Sequence, residues 1–92
     1  MKKADKLAKD GYLRDSYNIF LKIYNDTNYF EAGYNAAMIL MAMGQLNESE
    51  SLMNNVYENT GNIKALEALS DIENEINQAK RLEKQINSSK NN

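Results

Sequence analysis

Apolar residues recur along this chain in steps of three and four, the spacing of one face of an α-helix, and the pattern is punctuated at regular intervals by glycine and asparagine. Ala4, Leu7 and Ala8 run into Gly11 and predict a short first helix over Lys2 to Asp10, closed by a glycine suited to the left-handed turn. Leu13, Ile19, Phe20, Ile23 and Tyr24 predict a second helix to Asn25, with Arg14, Asn18 and Lys22 off the stripe. A third, from about Tyr29 to Met43, is the most apolar, and its small residues Ala32, Gly33, Ala36 and Ala37 allow neighbouring helices to approach closely; it is expected at the centre of the core. Gly44 ends it, and a fourth helix runs to about Asn59 before the turn Thr60-Gly61-Asn62. Asn28 with Glu31, and Asn47 with Glu50, have the spacing of N-terminal caps for the third and fourth helices. Beyond Asn62 no strong breaker follows. Leu66, Leu69, Ile72, Ile76, Ala79, Leu82 and Ile86 form one stripe, which predicts a single long helix from about Ile63 to Asn87 and a tail over 88–92.

The pattern repeats. Gly11 to Thr27 aligns with Gly44 to Thr60 at an offset of 33 residues, with identities at Gly11/Gly44, Leu13/Leu46, Ser16/Ser49, Tyr24/Tyr57 and Thr27/Thr60. Asp15/Glu48, Ile19/Leu52, Phe20/Met53 and Ile23/Val56 keep their character. A period in the thirties whose units read as paired helices predicts an all-α solenoid, each unit covering an apolar face that its neighbour cannot bury alone. The long last helix then caps the stack, with Lys80, Arg81 and Lys84 near its C-terminus, where positive charge is favoured.

Composition narrows the chemistry. The 92 residues make one domain, expected over 1–87, with neither cysteine nor histidine, which removes disulfides, thiol chemistry, the commonest metal ligand and the usual proton shuttle. The absence of proline leaves long stretches free to be helical. The net charge of −2 is unevenly spread: residues 1–22 sum to +3, 23–75 to −8 and 76–92 to +3. Acidic residues thus separate two basic ends, which argues against the contiguous basic stripe that nucleic acid requires. The longest apolar run, Ala36 to Met43, has eight residues, well short of the roughly 20 that cross a bilayer. Met1 to Lys9 lacks the apolar core of a secretory signal, so a cytoplasmic location is favoured, with a processed or excised envelope domain as the alternative. The richness in asparagine and lysine suggests a bacterial genome low in G and C.

No nucleophile stands with a base, and there is no glycine-rich phosphate loop, no metal-ligand set and no implied cofactor. Glu48 with Glu50, and Glu73 with Glu75, lie two apart, which on a helix turns each pair to different faces and makes neither a convergent acid–base site. The expectation is a non-enzymatic protein with no catalytic residues.

At the level of motif the chain resembles the tetratricopeptide repeat family over roughly residues 2–76. Tyr34-Asn35-Ala36-Ala37 is similar to the family's Tyr-Asn-Leu-Gly block, and Gly44 to Ser49 and Gly11 to Ser16 to its Gly-Asp-Tyr-x-Glu-Ala turn. Phe20 and Met53 stand at its large aromatic position, Ile23 and Val56 at its alanine. Departures are the missing closing proline, Ser16 and Ser49 in place of alanine, and Gly33 at a bulky position. The resemblance implies a right-handed solenoid of antiparallel helix pairs, here two units plus a long C-terminal capping helix, either complete as such or with an upstream unit removed.

The resemblance also implies a concave groove that binds a peptide or partner helix. Its matching positions are Asp5 and Lys9, then Glu31, Tyr34, Asn35, Met38 and Met41, then Lys64, Ala68 and Asp71. Tyr34 would serve as an amphipathic anchor, Met38 as an adaptable apolar contact and Asn35 as a holder of peptide backbone. Core packing is the competing role for Met38 and Met41, and a structural hydrogen bond for Asn35. Of the family's five-residue carboxylate clamp only Asn35 and Lys64 match, while Asp5, Ala68 and Met1 depart, so binding of a chaperone tail is not expected. Tyr12, Tyr17 and Tyr29 form either an aromatic patch or turn packing. The alternative to a peptide-binding adaptor is an assembly element in which Ile76, Ala79, Leu82 and Ile86 form a homo-oligomer face or extend a larger array.

Overall fold

The structure, a computed structural model, describes the backbone of residues 11–90 and the side-chain surroundings of residues 11–86. The expected first helix over Lys2 to Asp10 lies outside the described residues. Four helices account for nearly all the rest: α1 (Leu13–Thr27), α2 (Phe30–Ala42), α3 (Leu46–Thr60) and α4 (Ile63–Lys90). Among the described residues there is no strand. Each helix packs on the next in chain order, as short connections between elements require.

The core lies along α2. Ala32, Gly33, Ala36, Ala37, Ile39 and Leu40 are all buried there, between Phe20 and Tyr24 of α1 and Met53 and Val56 of α3. Ala65, Ala68, Leu69 and Ile72 of α4 close the other side. The small residues set the spacing. A Cβ at Gly33 would meet Val56 Cγ2 at 2.6 Å and Tyr24 Cδ1 at 2.7 Å, so a helix with any side chain at that position could not seat here without displacing both neighbours.

The 33-residue repeat is present in the backbone as well as in the residues. Both α1 and α3 are 15 residues long, and their N-caps Tyr12 and Gln45 have nearly the same dihedrals, φ −89°, ψ 62° and φ −88°, ψ 70°. Each follows a left-handed glycine, Gly11 or Gly44, and opens with a 3.0 Å bond from a buried serine N–H, Ser16 to Tyr12 O and Ser49 to Gln45 O. Each also ends alike. Thr27 and Thr60 donate their hydroxyls to the carbonyls of Ile23 and Val56, both at 2.7 Å, and the next residue, Asn28 or Gly61, turns left-handed and donates its N–H to Tyr24 or Tyr57 at 2.7 Å.

Two expected caps are corrected. Asn28 is not the N-cap of α2: at φ 56° it closes α1, and α2 begins after Tyr29 with no side-chain cap bond. Thr27 has already turned the chain, because its Oγ1 accepts the N–H of Tyr29 at 3.1 Å. Asn47 is likewise inside α3, which starts at Leu46. The reason is the tight close of α2, where Gln45 N–H reaches Leu40 O (2.9 Å) and Gly44 N–H reaches Met41 O (3.0 Å), reversing the chain before Asn47 is reached. Among the described residues it is Asn62, at the start of α4, that caps with its side chain, accepting Lys64 N–H at 3.0 Å. Helix α4 runs past the expected end at Asn87 to Lys90, and the remainder of the expected tail, residues 91 and 92, lies outside the described residues.

Candidate functional site

A depression of about 360 Å³ opens where the first turns of α2 and α4 lie side by side, lined by Phe30, Glu31, Tyr34, Asn35, Asn62 and Lys64. Glu31, Tyr34 and Asn35 share one face because they recur at helical spacing on α2, and Lys64 enters from α4 because Asn62 caps that helix beside them. The rings of Phe30 and Tyr34 make the apolar wall, with centroids 5.4 Å apart and planes tilted by 42°. Glu31 and Lys64 are exposed at the rim, while Tyr34 and Asn35 are half-buried. The depression thus offers an aromatic surface, a primary amide and two opposite charges.

Of the ten groove positions expected from the sequence, Glu31, Tyr34, Asn35 and Lys64 therefore lie together. Met38 and Asp71 do not line this depression: Met38 is half-buried against the core, and Asp71 is exposed about two turns beyond Lys64 on α4. Met41 also packs against the core. Ala68, another expected groove position, is only 5% exposed, because it is on the face of α4 that the core covers, and it presents nothing to a ligand. Asp5 and Lys9 lie outside the described residues.

Sequence reasoning missed two features. A wider and more apolar depression of about 610 Å³, lined by Ile23, Thr27, Asn28, Tyr29, Phe30, Asn59 and Thr60, lies across the α1–α2 and α3–α4 turns and shares Phe30 with the first. The recurrence of Thr27 and Thr60 at matching turns was its signal. The second feature is a polar cluster joining α1 to α3: Tyr24 donates its hydroxyl to Asn55 Oδ1 (2.8 Å), and Asn59 Nδ2 donates to both Tyr24 Oη (3.0 Å) and Asn55 Oδ1 (3.1 Å). One repeat earlier, Lys22 and Asp26 occupy the places of Asn55 and Asn59 and form a 3.0 Å ion pair on the surface.

The tyrosines outside this cluster do not form one patch. Tyr12 and Tyr29 are exposed at opposite ends of the 15-residue α1, and Tyr17 packs against the core with the Arg14 guanidinium 5.7 Å from its ring centre. The expected oligomer face is divided too: Ile76 is half-buried against the core, while Ala79, Leu82 and Ile86 are exposed beyond it. Among the described residues, no three acidic side chains converge to hold a metal ion, and no helix is long and apolar enough to cross a membrane. No protein-family model matches the chain, and no curated protein or solved structure is significantly similar to it.

Proposed function

We propose that this chain is a non-enzymatic binding module of the tetratricopeptide-like kind, a stack of two helix-pair units and a capping helix that takes an extended peptide in the depression between α2 and α4. The observation that carries this reading is that Glu31, Tyr34 and Asn35 from one helix and Lys64 from another line a single depression. The recurrence of caps, turn bonds and helix lengths at an offset of 33 residues supports the stacked-unit arrangement.

The chemistry assigns distinct tasks. The Phe30 and Tyr34 rings accept an apolar side chain, and the Asn35 amide, able to donate and accept at once, pairs with the peptide backbone. Lys64 and Glu31 orient the ligand through charges of opposite sign at the rim, where water screens them, so they select direction more than they add affinity. Met38, packed against the core, supports the wall from behind.

Selection of binders from a random peptide library displayed on phage, followed by isotope-edited NMR of the 15N-labelled chain with the selected peptide, tests this. The expected result is that amide shifts concentrate at residues 30–35 and 62–64, and that Tyr34→Ala and Asn35→Ala each weaken binding by about tenfold, roughly 1.4 kcal/mol. Peptides that bind both variants as well as the parent, or a library that yields none, overturn the proposal.

A further inference from the structure

We propose that Asn62 is a specificity-determining residue of the depression between α2 and α4: its side-chain amide meets the ligand as a hydrogen-bond donor only, and so selects a carbonyl oxygen of the bound peptide. This rests on the peptide-binding reading of the same depression. Asn62 lines it together with Asn35 and Lys64 and is half-buried there. All but one of its hydrogen-bonding groups are engaged within the chain. Its backbone N–H donates to Thr60 Oγ1 at 3.3 Å, its backbone carbonyl accepts from Ala65 N–H at 3.0 Å, and its side-chain Oδ1 accepts from Lys64 N–H at 3.0 Å. The Nδ2 amino group is what remains, and among the described residues it has no partner.

The cap decides which end of the amide the ligand meets. An untied asparagine presents its oxygen or its amino group by turning about its last bond, but only the oxygen can accept a backbone N–H. At Asn62 the oxygen is therefore held on α4, and the amino group is the end left over. With the Lys64 ammonium it gives the α4 wall two donors, whereas Glu31 on the α2 wall is an acceptor. The two walls ask for opposite partners. One repeat earlier the matching residue is Tyr29, which precedes α2 with no side-chain cap bond, so α2 carries no second group of this kind.

Fluorescence anisotropy of a labelled peptide selected from the phage library, titrated with the full chain, reads this out. Asn62→Asp and Asn62→Ser both keep an oxygen that caps α4, so their circular-dichroism melting curves should match that of the parent. Neither keeps the donor in place: the aspartate carboxylate has no proton to give, and the serine hydroxyl sits one bond nearer the backbone. Peptide affinity is expected to fall about fivefold for the serine variant and further for the aspartate variant, with the loss persisting at high salt, where rim charges are screened. Exchanging the peptide's carbonyl oxygens for sulfur, one at a time, should find one position that weakens binding to the parent and leaves binding to Asn62→Ser unchanged. A variant that binds the peptide as the parent does overturns the proposal, as does a sulfur scan without such a position. Failure of the peptide-binding reading itself looks different, because Tyr34→Ala then also binds as the parent does.

Discussion

The Cβ that Gly33 lacks would lie 2.7 Å from Cδ1 of Tyr24, closer than carbon atoms approach without displacement. Tyr24 fills the volume that a bulky residue at position 33 would otherwise take, and its hydroxyl is anchored beyond it by Asn55 and Asn59. The glycine and the tyrosine are therefore one packing solution, reached from two helices. Gly33→Ala, although it improves helix propensity, is expected to lower stability by about 1–3 kcal/mol through overpacking. Thermal melting followed by circular dichroism checks this, and Val56→Ala in the same background should recover part of the loss, since Val56 Cγ2 is the other atom struck.

Tyr24→Phe keeps the ring and removes the hydroxyl that links α1 to α3. The cost is expected at about 1 kcal/mol, the net value of a hydrogen bond whose remaining partners, Asn55 and Asn59, still bond to each other. Urea unfolding measures it. In a double-mutant cycle Asn55→Ala should cost less when Tyr24 is already phenylalanine, because the two changes remove one shared bond.

Asn28 stands at φ 56°, the left-handed place that glycine fills at Gly61 one repeat later. Asn28→Gly is expected to leave the melting temperature unchanged or raise it slightly, whereas Asn28→Ser should destabilise by about 1 kcal/mol, since serine enters that region poorly. An N-cap would behave differently, tolerating serine fully. Melting curves of the two variants distinguish the roles.

Ser49 is fully buried and donates its hydroxyl to Ala37 O at 2.6 Å, fastening α3 to α2. Ser49→Ala is expected to cost about 1 kcal/mol with no loss of helix content, because alanine fits the space and only the bond is lost. Denaturant unfolding with far-ultraviolet circular dichroism reads both quantities at once.

The ion pair of Lys22 with Asp26 joins two exposed side chains one turn apart on α1. Removing it with Asp26→Asn should change stability by less than about 0.5 kcal/mol and do so only at low salt, because water screens both charges. Melting at low and high ionic strength tests the difference between this pair and the Asn55–Asn59 pair, bonded to Tyr24, at the matching positions.

Sequence alone determined the four helices of the described residues, their order and their lengths to within a few residues, together with the 33-residue recurrence. These are local properties: three- and four-residue apolar spacing selects a helix wherever it occurs, and Gly44 or Gly61 ends one through its own backbone freedom. It also brought Glu31, Tyr34 and Asn35 onto one face, since that follows from spacing within a single helix. Tertiary structure decided what required two elements at once. It made Asn28 a closing residue because Thr27 had already turned the chain, and it sealed Leu69 and Ile72 into the core while leaving Leu82 and Ile86 outside, although all four belong to one stripe. A stripe records which face is apolar and carries no record of where the neighbouring helix stops. Here α3 is 15 residues long and α4 is 28, and that difference in length separates the part of the stripe that is core from the part that is surface.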